Sequence, residues 1–335
     1  MYEQFYGLAA KPFSLLPDPA YLYLSPRHEV AMSILEYAVT NDLVLSVVTG
    51  EVGSGKTTLV RNLLNQLGDS HTVGLISNTQ YDFDNLMQTV AAAFGIPFKD
   101  RGKVELHQDF VEFLIEQYRQ GRRTLLIVDE AQNLAAETLE EIRLLTNINA
   151  DEHMLLQLLL VGQPELHELL KRHDLRQLAQ RISVIAKLEP LDEKETAAYV
   201  RHRLTVAGGD PKLFHKNALR LIYWNSGGIP RVINTLCDLA LVYGYADRKK
   251  KIDAMLIADI ARDRFDTGLY GNRVFDVQNL KDADDARRAA REAATKPADG
   301  DVQAAEEAVD RNVFDLVVDG VTGADATTKK RTSGN

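Results

Sequence analysis

The sequence predicts an α/β fold, a parallel sheet with helices on both faces, followed by a small all-helical lid domain and a polar tail. Three observations carry this. From Asp42 to Leu188 short apolar runs alternate with stretches of helical spacing, the pattern of a parallel sheet covered on both sides. The first strand-to-helix passage contains a glycine-rich run, Gly50-Glu51-Val52-Gly53-Ser54-Gly55-Lys56-Thr57. After Pro190-Leu191-Asp192 the pattern turns to helices only.

Four segments follow in order. Residues 1–40 form an aromatic and proline-rich N-terminal arm (Phe5, Tyr6, Pro12, Phe13, Pro17, Pro19, Tyr21, Tyr23) and a first amphipathic helix, Arg27 to Val39. The arm suits two roles equally, an extended cover over a nucleotide and a strap that closes a core. Residues 41–189 are the α/β domain. Its strands are expected at 43–49, 73–77, 124–129, 155–162 and 183–188, and its helices at 56–67, 82–94, 105–120, 137–149 and 165–179. Asp82 fits the N-cap of the second helix and Gly95 its stop. Residues 190–266 are the lid domain, with helices expected at 193–207, 215–226, 230–245 and 253–265. From residue 267 the apolar periodicity fails, and 267–335 reads as a mostly disordered tail rich in Ala, Asp, Lys and Thr. The tail holds a near-repeat, Arg273-Val274-Phe275-Asp276 and Asn312-Val313-Phe314-Asp315. Chance similarity accounts for it, with a docking motif as the alternative.

Composition narrows the class. Of 335 residues, 45% are hydrophobic and 26% charged, an ordinary soluble globular balance. The net charge of −9 is spread along the chain, which speaks against a dominant nucleic-acid-binding surface. Arg248-Lys249-Lys250-Lys251, the one dense basic run, reads as a solvated turn between helices. A single cysteine, Cys237, sits on an apolar helix face, so no disulfide forms within the chain and a reducing compartment is expected. The eight histidines show no metal-ligand spacing. No basic-then-apolar leader opens the sequence, and no apolar run approaches the roughly 18 residues of a membrane span. The expected location is cytoplasmic, with any recruitment to the inner membrane made through a partner.

The glycine-rich run fits G-x-x-x-x-G-K-[ST], the phosphate-binding loop of nucleoside triphosphatases. Val44–Thr49 leads in as a buried strand and Thr58–Leu64 leads out with helical spacing. Glycines let backbone N–H groups turn inward on a polyphosphate, and the helix N-terminus adds partial positive charge. Gly50 through Thr58 are therefore the candidate phosphate cradle. Lys56 reaches the β- and γ-phosphates and the Thr57 hydroxyl ligates magnesium, which makes ATP and Mg2+ the expected ligands. Downstream, Thr124-Leu125-Leu126-Ile127-Val128 is an apolar strand ending in Asp129 and Glu130. Asp129 is placed to hold magnesium through water, and Glu130 to orient and polarise an attacking water. Leu158–Gly162 is a strand that ends in Gln163, an amide suited to position that water. Gly227-Gly228-Ile229-Pro230-Arg231 opens a helix with proline in its first turn, and Arg231 is a candidate for reaching a γ-phosphate from the domain junction. The guanine-reading Asn-Lys-x-Asp and the ABC signature Leu-Ser-Gly-Gly-Gln do not occur. A helical domain placed directly after the α/β domain points to the AAA+ class.

At these residues the sequence resembles the general secretion pathway protein A-type (ExeA-like) AAA+ ATPases. The resemblance is carried by Phe5-Tyr6-Gly7-Leu8, Lys11-Pro12-Phe13, Pro17-Asp18-Pro19, Leu22-Tyr23-Leu24-Ser25, Gly50–Thr57 and Asp129-Glu130-Ala131-Gln132-Asn133-Leu134. It continues in Leu144-Leu145-Thr146-Asn147, Gly162-Gln163-Pro164-Glu165-Leu166, Leu178-Ala179-Gln180-Arg181-Ile182 and Gly227–Arg231. It covers roughly residues 1–266. It implies an ATPase that acts as a ring or helical homo-oligomer, nucleotide-dependent, at the cytoplasmic face of an envelope assembly complex such as a secretion channel, a type IV pilus or an exopolysaccharide exporter. It also implies roles for Gln163 as the first sensor, Arg231 as the second, and Arg181 as the arginine finger given to a neighbouring subunit, with Arg176 the runner-up. The archetype continues into a membrane span and a periplasmic peptidoglycan-binding domain. The length here is closer to stand-alone members of exopolysaccharide and pilus loci. The alternative function is a DNA-bound AAA+ regulator of the transposition or replication-loader type.

Overall fold

The computed structural model describes residues 1–16, 18–77, 86–150 and 153–266. The chain divides into two units, Leu24–Pro190 and a second made of Met1–Tyr23 together with the chain from Leu191 onward. The expected tail, 267–335, with its near-repeat, and the expected cap Asp82 lie outside the described residues.

A four-residue helix, α1 (Glu3–Tyr6), opens the chain and belongs to the second unit. The α/β unit begins with α2 (Pro26–Thr40), then β1 (Leu45–Gly50), α3 (Lys56–Leu67), β2 (His71–Ile76), α4 (Leu86–Ala93), α5 (Lys103–Arg119) and β3 (Arg123–Val128). There follow α6 (Ala136–Leu145), a small hairpin of β4 (Asn149–Ala150) and β5 (His153–Met154), β6 (Leu156–Gly162), α7 (Pro164–Leu170), α8 (Arg176–Ala179) and β7 (Ile182–Leu188). The main sheet has five strands in the order β2-β3-β6-β1-β7, all pairs parallel.

Period two decides which side each strand residue faces. Leu45, Val47, Leu126, Val128, Leu158 and Leu160 join the core under α4 to α7. Their neighbours Val48, Leu125, Ile127, Leu159 and Val161 join the core under α2 and α3. Every residue of β1 and β6 is buried, which explains why these strands read as mostly apolar runs with no regular alternation. Because Ile76 pairs with Val128, Val128 with Leu160, Thr49 with Gly162 and Gly50 with Leu188, the strands end along one carboxyl edge. That edge is where open parallel sheets bind ligands.

Two elements differ from the sequence reading. The helix expected over 165–179 is broken: α7 stops at Leu170, a 3-10 turn spans His173–Leu175, and α8 follows. Leu166 and Leu170 are one turn apart, but Leu175 is five residues further and would point away in a continuous helix. The break, held by Arg172 on the carboxylate of Asp174, lets Leu175 and Leu178 enter the same core. The helix expected to 149 ends at Leu145, and the chain enters the β4–β5 hairpin instead. Gly95, at φ 71°, lies just beyond the end of α4.

The second unit contains α9 (Glu193–Val206), α10 (Lys216–Ser226), α11 (Pro230–Ala246) and α12 (Ala254–Asp266). Asp192 and Glu195 form a capping box at the start of α9, each side chain accepting from the other's N–H at 2.8 Å. Of the two roles open to the arm, core closure is the one seen. Tyr2, Leu8 and Phe13 are buried with Val200, Leu204, Phe214, Ile233 and Leu241. The Ala9 N–H donates to the Ala207 carbonyl at 2.8 Å. Arg203, buried, donates to the carbonyls of Pro12 (2.6 Å) and Ser14 (3.3 Å) and lies 4.7 Å above the Tyr21 ring. The basic run is the turn between α11 and α12, and it is tied down: Lys249 pairs with Asp253 at 2.9 Å and the Lys250 ammonium sits 3.9 Å over Phe5. Cys237 is fully buried, and burial pushes its thiol well above the ordinary range, away from reactivity.

Candidate nucleotide site

The passage from β1 to α3 is a loop whose shape requires glycine at several points. Gly53 (φ 80°) and Gly55 (φ 103°) are left-handed, a conformation strained for side-chain-bearing residues. At Gly50 an added Cβ would lie 2.7 Å from Ser54 Oγ and 2.8 Å from the Leu188 carbonyl. The Ser54 N–H donates to Glu51 O at 3.1 Å, and Leu59 N–H to Gly55 O at 2.9 Å, which starts α3. Glu51 and Val52 are exposed on the outer side of the loop, and Thr58 is partly buried one residue into the helix after Thr57. The Lys56 side chain is largely buried, and its Nζ donates to the carbonyls of Gly50 (2.7 Å) and Glu51 (3.1 Å). Burial lowers its pKa, against the opposing pull of Glu130, Asp129 and Glu51.

The end of β3 supplies the carboxylates. The Asp129 N–H donates to Ile76 O at 2.8 Å, which carries the β2–β3 pairing one residue past the strand. Its side chain accepts from the Glu130 N–H at 2.9 Å and from the Thr57 hydroxyl. Burial raises the Asp129 pKa, and these two hydrogen bonds work against that rise. Thr57 and Asp129 thus bring one hydroxyl and one carboxylate oxygen together. No group of three or more His, Cys, Asp or Glu that could hold a metal occurs among the described residues. A hydroxyl–carboxylate pair beside a phosphate loop fits magnesium, which takes one or two protein oxygens and completes its shell with phosphates and waters.

Glu130 is left-handed (φ 54°), unusual for a residue with a side chain. Its Oε2 accepts from the amides of Gln132 (2.6 Å) and Gln163 (3.1 Å). Gln132 in turn accepts the Gln163 N–H at 3.0 Å, so three residues from two strand ends lock together. The Gln132 amide is the main cause of the lowered Glu130 pKa, with Gln163 and Lys56 adding to it against burial. Gly162 makes room for the lock, because a Cβ there would lie 2.8 Å from Gln132 Oε1.

The remaining candidates lie elsewhere. Arg181 is half-buried just before β7, donating to the Thr146 hydroxyl at 2.6 Å and to the Asn147 amide oxygen after α6. Arg176 is exposed at the start of α8. Arg231 belongs to the second unit, exposed in the first turn of α11. The structure therefore joins Lys56, Thr57, Asp129, Glu130 and Gln163 at one sheet edge, and within the same unit Arg181 and Arg176 have other surroundings. Two participants escaped the sequence reading. Gln132 stood inside a quoted motif without a role. His28, buried on the first turn of α2, places Nε2 3.2 Å from the Ser54 carbonyl. The Ser25-Pro26 start of α2 was the available signal for the latter, since it fixes where the first helical turn begins.

Comparison with known proteins agrees with this fold. Residues 44–170 match the AAA domain family. The chain is 43% identical over 253 residues to General secretion pathway protein A of Aeromonas hydrophila, a match that covers 75% of this chain and 46% of that relative's length. Among solved structures it is similar to Cdc6p of Pyrobaculum aerophilum (TM-score 0.57, 18% identity, 72% of this chain and 69% of that one). It is also similar to the Aeropyrum pernix ORC1 protein in complex with DNA (TM-score 0.57, 18% identity, 76% and 69%). At such identities the likeness speaks for the fold. No helix among the described residues is long and apolar enough to cross a membrane. The α/β unit is an AAA+ P-loop domain, and over three quarters of its length the chain is a relative of General secretion pathway protein A.

Proposed function

We propose that the chain binds Mg-ATP and hydrolyses it to ADP and phosphate, as a cytoplasmic homo-oligomer serving an envelope assembly system. The observation that carries the chemistry is the Glu130 lock. A carboxylate held ionised by two amides stands at the same sheet edge as the Thr57–Asp129 pair and Lys56. Phosphoryl transfer to water needs positioning and charge neutralisation more than covalent help. Lys56 supplies a cation by exchanging the Gly50 and Glu51 carbonyls for phosphate oxygens. Thr57 and Asp129 hold the magnesium, which when bound neutralises charge on the transferring phosphate. Glu130 orients the attacking water and accepts its proton, with the Gln163 amide fixing the carboxylate's direction.

The secretion reading rests on the relative's name and on 43% identity across three quarters of the chain. The oligomer reading rests on the resemblance of Arg181 to the family's arginine finger; in this chain it is held by Thr146 and Asn147 and would have to leave them to serve a neighbour. The test of the chemistry is a pair of variants. Lys56→Ala should lose nucleotide binding. Glu130→Gln should keep binding and lose turnover by about 10²–10⁴-fold. Wild-type turnover in Glu130→Gln would remove Glu130 from the role of base.

A further inference from the structure

We propose that His28, backed by Ser25, is a positioning residue that holds the Ser54 carbonyl and so keeps the phosphate loop in its ligand-ready curve. The inference rests on the loop being a nucleotide site, as argued above. A loop that turns its N–H groups toward a polyphosphate turns its carbonyls the other way, and buried carbonyls need donors. Donors to four of the loop's carbonyls can be traced. Gly50 O accepts from Lys56, and Glu51 O from Lys56 and the Ser54 N–H. Gly55 O accepts from Leu59 N–H in α3. Ser54 O accepts from His28 Nε2 at 3.2 Å, in buried surroundings.

These supports are not equivalent. Lys56 has to release its carbonyls to meet a phosphate, so its hold on the loop ends when it is used. The His28 bond does not depend on Lys56. It also falls on the residue between the two left-handed glycines, Gly53 and Gly55, the stretch whose backbone is least restricted by side chains. The ring lies against the outside of the loop, 3.8 Å from where a Cβ on Gly55 would sit.

The hydrogen bonds fix the tautomer. A carbonyl can only accept, so Nε2 carries the proton. Nδ1 then accepts from the Ser25 hydroxyl at 2.9 Å, and the same hydroxyl oxygen accepts the His28 N–H as the N-cap of α2. The first turn of α2 is itself anchored by Arg27 on Glu189 at 2.9 Å. The ring is therefore held at both nitrogens, Nδ1 by Ser25 at the start of α2 and Nε2 on the Ser54 carbonyl of the loop, and α2 packs on the sheet through Leu35 and Val39.

The experiment compares His28→Phe, which keeps a ring and loses the donor, with His28→Gln, which keeps an N–H donor. Met32→Ala, on the same helix but away from the loop, controls for loss of packing. Affinity for a fluorescent non-hydrolysable ATP analogue, KM, kcat and thermal midpoint are measured for each and for the wild type. His28→Phe should raise Kd and KM about tenfold, equivalent to about 1.4 kcal/mol, with kcat within about twofold of wild type. His28→Gln should recover most of the affinity. Met32→Ala should lower the thermal midpoint and leave Kd unchanged. Wild-type affinity in His28→Phe overturns the proposal, as does a Kd in His28→Gln as weak as in His28→Phe, or a matching loss in Met32→Ala. Failure of the nucleotide reading looks different, because the wild type itself would then show no Lys56-dependent binding of the analogue.

Discussion

At the scale of the residue, Glu130 is the unusual position. A side-chain-bearing residue in the left-handed region costs on the order of 1–3 kcal/mol, and the surrounding lock with Gln132 and Gln163 holds it there. Gln132 is the larger cause of the depressed Glu130 pKa. A base must be ionised to act, so a depressed pKa extends activity toward acid. Gln132→Ala should therefore raise the Glu130 pKa and move the acidic limb of the kcat–pH profile to higher pH, with a lower plateau because the lock is broken. An unmoved limb would mean that Glu130 is not the group titrating there. The placement of Lys56, Thr57, Asp129 and Glu130 at the sheet edge was legible in the sequence, because each follows an apolar strand run closely and a strand run shows where it ends. The grip of Gln132 on Glu130, and of His28 on Ser54, was not. Both are contacts through space, between residues that carry no periodic signal of their own.

At the scale of the element, the sheet was legible for a simple reason. Strands buried on both faces carry few polar residues, and Ser46 and Thr49 in β1 and Gln157 in β6 are the polar ones in these two. The β4–β5 hairpin was not legible, since strands of two residues are too short to show a period. The break between α7 and α8 was hidden because its leucines fit helical spacing on either side of the interruption but not across it. The junction of β6 with α7 gives a direct test of how tightly strand end and lock are coupled. Gly162→Ala would place a methyl 2.8 Å from Gln132 Oε1 and equally close to Leu166 Cδ2. Overpacking of this kind costs about 1–3 kcal/mol, which chemical denaturation should register. Turnover should fall as well, because the displaced amide releases Glu130. A destabilised variant with full kcat would show that the lock is not needed for catalysis.

At the scale of the whole molecule, two features invite tests. The first is the tie between the arm and the helices of the second unit. Arg203 is buried and satisfies two arm carbonyls and the Tyr199 hydroxyl. Arg203→Ala should destabilise by about 2–3 kcal/mol, since buried carbonyls left without donors are costly. Limited proteolysis should then cut within residues 1–23 before it cuts the α/β unit. The second is assembly. If Arg181 serves a neighbour's nucleotide, Arg181→Ala and Glu130→Gln should each be nearly inactive, and their mixture should recover part of the activity through interfaces that pair an intact Glu130 with an intact Arg181. A finger of this kind is worth about 10³–10⁵ in rate. A mixture no more active than its parents, with co-assembly demonstrated, would exclude the role.

The second unit is also discontinuous in sequence, and this sets an order in time. Tyr2, Leu8 and Phe13 are made well before their partners in α10, α11 and α12, which are encoded some two hundred residues later. At about 5–20 residues per second, the arm waits on the order of 10–40 s with its apolar side chains uncovered. The α/β unit, continuous from Leu24 to Pro190, can fold during that interval. Synthesis thus passes through a stage in which the phosphate loop is finished while the arm is still without its core. Anything that captures the nascent arm has its opportunity at that stage, and loses it once α12 closes the helical unit.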